Sequence, residues 1–368
     1  MNNNKIKVVY KGQIVGTLIY KDYLTSFQYT PEWINMGFSI SPLALPLSDK
    51  IYTPEYQPFS GTFGIFNDSL PDGWGVLLIN RMLMKNLINP NTISPLDRLA
   101  IIGNSGMGAL VYSPQEKFKH EDSINLDLDS LSHQCSLILD DKDCANLDYL
   151  FQRGGSSGGA RPKIFKQIDN EEWIIKFPSS LDSKDIGLQE YSYSKCAKQC
   201  GIEMPKIKLF KSNECEGYFA IKRFDRINKE KIHMASASAL LETSHRFPNL
   251  DYTQLLKLTQ YICKSEEEVR KMFKLMCFNV FAHNRDDHSK NFTFIYNNGW
   301  KVSPAYDLTY SNSINGEHAT TIAGEGKNPG IDDILKVAKI IGISNNYAKT
   351  TATNIKEIVL QELSKYII

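Results

Sequence analysis

Arg285-Asp286-Asp287-His288-Ser289-Lys290-Asn291-Phe292, followed by Tyr306-Asp307-Leu308, is the stretch on which the reading of this chain turns. Asp286 stands five residues before Asn291, and Asp307 comes later. These residue types divide one piece of chemistry. A carboxylate such as Asp286 can orient a hydroxyl and accept its proton. The amide oxygen of Asn291 and the carboxylate of Asp307 are hard donors that suit a divalent cation. Phe292–Tyr296 reads as a strand and Gly299–Val302 as its hairpin partner, which puts the first motif in a loop before a hairpin and Asp307 after it.

Working outward, the 368 residues leave room for two domains or one two-lobed domain. Forty-two Lys+Arg against 41 Asp+Glu give a formal charge of +1, without the basic excess of a direct nucleic-acid binder. The apolar fraction of 42% is ample for a sizeable core. Seven cysteines without a CxxC pair read as buried thiols, and Cys196 and Cys200 would share a helix face. No apolar run approaches the ~20 residues of a membrane span, and Met-Asn-Asn-Asn-Lys does not resemble a signal peptide, so a cytoplasmic protein with no membrane partner is expected.

Residues 5–20 alternate around Lys11-Gly12 and predict a hairpin. Residues 31–60 are rich in Pro, Ser and Tyr and read as a loop-heavy or short-strand stretch. Helices are expected over Trp74–Asn86 and Pro95–Ile102, and Gly103–Tyr112 reads as a Gly-rich turn entering a strand. Residues 116–147 are acidic and Ser-rich, a connector with one helix. Strands follow at Lys163–Gln167 and Trp173–Phe177, then a helix at Asp185–Gln199, then strands at Ile207–Phe210 and Tyr218–Arg223. Helices are expected at 251–263, 266–283 and 331–341, with a last one within 346–366. The predicted domains are 1–115, a small α+β subdomain; 116–147, the connector; 148–228, a small lobe with the Gly-rich loop; and 229–368, a helical large lobe.

Upstream of the opening motif lie residues of matching chemistry. Arg153-Gly154-Gly155-Ser156-Ser157-Gly158-Gly159-Ala160 holds four glycines within six residues, so its amides can approach a phosphate closely. It is neither a Walker A loop nor a dinucleotide GxGxxG. Lys176 ends an apolar strand after this loop, where kinases keep a phosphate-pairing lysine, and Glu190 lies on the next helix as its candidate partner. Lys222-Arg223-Phe224-Asp225-Arg226 leaves a strand where a kinase-like chain presents backbone to adenine. Arg-Asp-x-x-x-x-Asn is the spacing of the kinase catalytic loop, with Asn284 where histidine usually sits. Asp286 is then the candidate proton acceptor, Lys290 a γ-phosphate stabiliser, and His288 a proton shuttle or an orienting group. Asn291 and Asp307 are the candidate magnesium ligands. ATP and Mg2+ are the expected cofactors, and the expected class is α+β, a two-lobed protein-kinase-like fold with an N-terminal α+β subdomain and a mostly helical C-terminal lobe.

At these residues the chain resembles the HipA family of bacterial serine/threonine kinase toxins. The matching stretches are Gly158-Gly159-Ala160-Arg161-Pro162-Lys163, Ile174-Ile175-Lys176, Lys222–Arg226, Asp286–Phe292 and Tyr306-Asp307-Leu308. Thr62–Trp74 and Ile102–Leu110 resemble the family's N-terminal subdomain. The resemblance implies that Ser157, Gly158, Gly159, Lys163, Lys176, Glu190, Lys222, Phe224 and Asp225 serve the nucleotide. It implies autophosphorylation at Ser156, with Ser157 a close second, and ejection of the loop as a result. It further implies a protein substrate such as an aminoacyl-tRNA synthetase, a helix-turn-helix antitoxin of the HipB type, and contact with DNA only through that antitoxin. A small-molecule kinase of the aminoglycoside or lipid type and a non-catalytic repressor subunit are the competing readings. The N-terminal unit and the serine-bearing loop argue against the first, and intact Lys176, Asp286, Asn291 and Asp307 argue against the second.

Overall fold

The computed structural model describes residues 3–118 and 126–367. Of the expected connector, residues 119–125 lie outside the described residues. The chain forms two compact units. Unit one is Met1–Gly187, Leu209–Ala235 and Ala239–Glu242, and unit two is Leu188–Lys208, Ser236–Ser238 and Thr243–Ile368.

Unit one begins with β1 (Lys5–Tyr10), β2 (Gln13–Lys21) and β3 (Leu24–Tyr29). With β4 (Leu110–Ser113) they make an antiparallel sheet of order β3-β2-β1-β4. The expected hairpin is β1 and β2, turning at Lys11-Gly12, both with positive φ. Strand β3 was not expected; Thr25, Phe27 and Tyr29 alternate inward along it. Short helices α1 (Pro31–Met36) and α2 (Gly64–Asn67) follow. Then come α3 (Gly73–Lys85) and α4 (Pro95–Ile102), which Ser94 and Asp97 start with a capping box.

Helix α5 (Leu128–Leu139) is the one helix expected in the connector, and α6 (Leu147–Gly154) leads into the Gly-rich loop. Strands β5 (Lys163–Ile168), β6 (Glu171–Lys176), β7 (Ile207–Phe210) and β8 (Tyr218–Lys222) form a sheet of order β5-β6-β8-β7. Trp74 and Leu78 of α3, Leu131, Cys135 and Ile138 of α5, and Leu150 of α6 share one core with Ile164, Trp173, Ile175 and Tyr218 of this sheet. The polar, Ser-rich sequence of α5 therefore hides an apolar stripe that belongs to the sheet. Small strands β9 (Arg226–Ile227) and β10 (Glu230–Lys231) pair, and β11 (His233–Ser236) follows.

Unit two is mostly helical. It contains most of α7 (Ile186–Gln199) and part of α8 (Ala237–Leu240). Strand β12 (Leu250–Asp251) runs straight into α9 (Tyr252–Cys263), where Asp251 and Gln254 form a capping box and Lys264 ends the helix in the left-handed region. Ser265 then caps α10 (Glu266–Phe281), whose first turn holds Glu266, Glu267 and Glu268, the sign that the helix dipole favours. A hairpin of β13 (Thr293–Tyr296) and β14 (Trp300–Val302) follows, and β15 (Thr320–Thr321) pairs in parallel with β12. Helix α10 packs on α9 and α12 (Asn345–Ile367), and α11 (Ile331–Ile341) packs on α9 and α12. None of the helices among the described residues is long and apolar enough to cross a membrane.

One carboxylate in unit one, Glu242, is held largely out of water. Glu242 accepts the Gly64 N–H at 3.0 Å at the start of α2. Burial, partly offset by that bond, pushes its pKa up to about 7. The unfolded chain loses this proton near 4.5, so the folded state binds more protons between there and about 7. Glu242 therefore makes stability fall as pH rises through that window. Glu242→Gln is expected to flatten the slope and to add about 2 kcal/mol at pH 8 relative to wild type, with little gain at pH 4.5, read by urea unfolding at both values.

Candidate active site

Ser156, Ser157, Gly158, Gly159, Lys163, Lys176, Lys222, Phe224 and Asp225 belong to unit one; Glu190, Asp286, His288, Lys290, Asn291 and Asp307 belong to unit two.

In unit one the Gly-rich loop is held by the start of α3. Gly154 closes α6, and a Cβ there would lie 2.6 Å from the Lys163 carbonyl oxygen, so no larger residue fits. The Trp74 N–H donates to the Gly159 carbonyl at 3.0 Å, and the Trp74 indole N–H donates to the Lys163 carbonyl at 3.0 Å. The Gly159 N–H donates to the Asp72 carboxylate. Asp72 occupies the N-cap position of α3 but does not cap that helix with its side chain. Ser157 donates its hydroxyl to the Gly154 carbonyl at 2.6 Å, and Ser156 donates to the Ser105 carbonyl at 2.8 Å. Both serines are buried.

Lys163 and Lys176 sit opposite each other in the β5–β6 register, and directly opposed residues face the same side of a sheet. The Lys163 ammonium turns back to the Gly158 carbonyl, so that face looks onto the Gly-rich loop. The Lys176 ammonium lies 5.8 Å from the centre of the Phe219 ring. Lys222 pairs with Glu171 at 2.7 Å. Asp225 is fully buried and accepts from Arg223 at 2.8 Å, Arg226 at 2.7 Å and the Gly108 N–H at 2.7 Å. Burial alone would raise its pKa, but the two guanidiniums hold it below the usual carboxylate range. Phe224 is half-buried beside it.

In unit two Glu190 is buried on α7. Asp286 is well exposed, with 60% of its side chain open, while its neighbour Asp287 is buried. The Asn291 amide N–H donates to the Asp286 carbonyl at 2.7 Å, which leaves its amide oxygen as the end able to meet a cation. His288 places Nε2 4.0 Å from an Asp286 oxygen, and its ring lies 5.5 Å from that of His245. The Tyr306 hydroxyl donates to the Lys290 carbonyl at 2.6 Å and also meets the Thr293 hydroxyl at 2.6 Å. This ties the Asp307 segment to the turn that carries Lys290 and Asn291. Asp307 itself has a φ of 52°, in the left-handed region that costs a non-glycine residue energy and is concentrated at functional sites.

Asp287 stood in the motif without a role of its own, and its partners were not singled out by sequence. Its carboxylate accepts from the Tyr252 hydroxyl at 2.9 Å and from the Thr320 N–H at 3.2 Å, and it meets His318 Nδ1 at 2.9 Å. The Asp72–Trp74 clamp was missed too, because Pro71-Asp72-Gly73 reads as a plain helix start. In both cases the only sequence signal was adjacency, an extra Asp beside Asp286 and an Asp-Gly-Trp in the N-terminal stretch.

The HipA-like C-terminal domain family matches residues 155–363, and the HipA N-terminal domain family matches residues 6–113. The chain belongs to the HipA family. Its fold is that of HipA from Shewanella oneidensis MR-1, solved with HipB and operator DNA, at a TM-score of 0.72 and 16% identity over 98% of this chain and 90% of that one. A Haemophilus influenzae protein named "Putative kinase" is 24% identical over 43% of this chain, and a similarly named Sinorhizobium fredii protein is 26% identical over 37%. These matches span 53% and 36% of the two relatives' lengths. The expected two-lobed α+β class of the HipA fold is borne out.

The seating of the Gly-rich loop is open to a direct check. A Cβ at Gly75 would lie 2.4 Å from the Ser157 carbonyl oxygen, and backbone cannot give way cheaply. Gly75→Ala is expected to unseat the loop, speeding amide hydrogen exchange across 155–160 by about tenfold or more while leaving exchange in α10 unchanged.

Proposed function

We propose that this HipA-family chain is an ATP-dependent serine/threonine protein kinase that acts as the toxin of a toxin–antitoxin pair. The observation that carries the reading is the catalytic loop of unit two: Asp286 exposed, Asn291 oriented by the Asp286 carbonyl, and Asp307 tied to the same turn through Tyr306.

In this reading Asp286 accepts the proton of the substrate hydroxyl as its oxygen bonds the γ-phosphorus. The bond from that phosphorus to the β-bridging oxygen breaks, and ADP leaves. Lys290 offsets the charge that develops on the phosphoryl oxygens. Asn291 and Asp307 are hard oxygen donors that fit a magnesium ion whose shell is completed by phosphates and water. When bound, that ion neutralises phosphate charge. The loop amides, Lys163 and Lys176 serve the phosphates. Because the Asp225 carboxylate is already taken by its arginines, the Lys222–Asp225 stretch serves adenine through its backbone.

Autophosphorylation is part of the proposal. Ser156 is buried and bonded to the Ser105 carbonyl, and a phosphate of charge near −2 cannot occupy that seat. Modification of Ser156, or of Ser157, would therefore drive the loop out and silence the enzyme. The fold neighbour was solved with HipB and operator DNA, which supports a helix-turn-helix antitoxin as partner and DNA contact through it. The near-neutral charge is consistent with indirect DNA contact. The proposed substrate is a protein of the translation apparatus such as an aminoacyl-tRNA synthetase.

Incubation with γ-labelled ATP and Mg2+, alone and with bacterial lysate, tests the reading. Wild type should label itself and a lysate protein. Asp286→Ala and Asp307→Ala should each lose about 100-fold or more of that rate. Absence of any transfer by wild type would sink the kinase reading, and phosphate found only away from Ser156 and Ser157 would sink the loop mechanism.

A further inference from the structure

The catalytic loop carries a second aspartate that the phosphotransfer chemistry does not use. Asp287 is 1% exposed, and its carboxylate is met from three directions. Tyr252 comes from the first turn of α9, at 2.9 Å. His318 and Thr320 come from the segment beyond Asp307, at 2.9 and 3.2 Å. The network continues inward. The Asn279 amide N–H of α10 donates to the Tyr252 hydroxyl at 2.9 Å, and the Asn284 amide N–H donates to the Asn279 oxygen at 2.9 Å. His318 is itself buried.

The backbone on either side is stitched to the same segment. The Ser311 N–H donates to the His283 carbonyl at 3.1 Å, and the Ala319 N–H donates to the Arg285 carbonyl at 3.0 Å. The Thr320 hydroxyl donates to the Asp287 carbonyl at 2.5 Å. The partner segment is fixed in turn. Asp251, while capping α9, accepts from the Thr321 hydroxyl at 2.6 Å and from the Gly324 N–H at 2.9 Å.

Asp287 is buried while Asp286 beside it is exposed, so the loop divides the two carboxylates between protein and solvent. On the outer side Asn291 grips the Asp286 carbonyl, so the peptide between the two aspartates is held from both sides. A carboxylate out of water demands several donors, and only one placement of the loop supplies Tyr252, His318 and Thr320 together.

We infer that Asp287, gripped by His318, Tyr252 and Thr320, is a positioning residue that sets where the Asp286 carboxylate stands. The inference rests on Asp286 being the proton acceptor. Small misplacements of a reacting group cost large factors in rate, so Asp287→Asn is expected to lower kcat about 10- to 100-fold with KM for ATP within about twofold. An effect exerted through Asp286 must vanish without it. In the Asp286→Ala background, Asp287→Asn should lower the residual rate by less than about twofold. Tyr252→Phe removes one of the three donors and should give a smaller kcat loss in the same direction, which keeps the idea testable if Asp287→Asn fails to fold.

Hydrogen exchange over residues 284–292 gives a readout that needs no activity: both variants should exchange faster there, with α11 and α12 unchanged. The inference is overturned if kcat stays within twofold in both single variants, if the loss is equally large with and without Asp286, or if loop exchange does not change. If wild type transfers no phosphate, the kinase reading fails alone, and the exchange measurement still decides whether Asp287 holds the loop.

Discussion

A carboxylate removed from water must be met by donors, and in each unit of this protein such a group ties loops together. In unit one, Asp225 gathers Arg223, Arg226 and the Gly108 N–H. In unit two, Asp287 gathers Tyr252, His318 and Thr320. Gly108 is far from Asp225 in sequence, and Tyr252, His318 and Thr320 lie more than 30 residues from Asp287, so satisfying one charge ties distant segments together. Such a group adds little net stability over a well-packed apolar alternative, but removing a single partner is costly because a charge is left unmet. The value of the arrangement lies in placement. Asp225 binds the turn at 106–108 to the exit of β8. Asp287 binds the loop of Asp286 to the segment beyond Asp307.

The Gly-rich loop is governed by a different constraint, close approach. Trp74 reaches into the core beneath the β5–β6–β8–β7 sheet and bonds the Gly159 and Lys163 carbonyls on the way. Gly73 and Gly75 let the loop backbone lie where any side chain would collide. The N-terminal HipA region is therefore part of the loop's support, and Ser156 points into that support while Ser157 bonds back to Gly154. A phosphate on either serine is incompatible with the seat for reasons of both volume and charge.

Much of this was legible from sequence. The hairpin at 5–20, the helices at 95–102 and 331–341, and the strands at 207–210 all follow local periodicity and capping, and they stand close to where they were expected. Strand β3 was not legible, because Leu24–Tyr29 carries too many polar residues to alternate clearly and draws its pairing from β2. Helix α5 was visible as a helix, but the acidic, Ser-rich stretch of 116–147 around it concealed that Leu131, Cys135 and Ile138 fill the core under a sheet. The helix α6 was hidden by its closing glycine, which periodicity reads as loop.

The order of chemistry-bearing residues, from the Gly-rich loop through Lys176 to Asp286, Asn291 and Asp307, was determined by sequence alone, because spacing along the chain preserves the identity of a catalytic motif. Which of two adjacent aspartates faces solvent was not. Asp286 and Asp287 are chemically the same, and only donors supplied by Tyr252, His318 and Thr320 make one a buried tie and leave the other exposed. The same holds for Asp225, read along the chain as part of a nucleotide contact and made a buried partner of two arginines by a fold that brings Gly108 beside it. Sequence specifies which groups can ionise and donate; the tertiary structure decides which of them meet, because desolvation and hydrogen bonding act between residues that only folding makes neighbours.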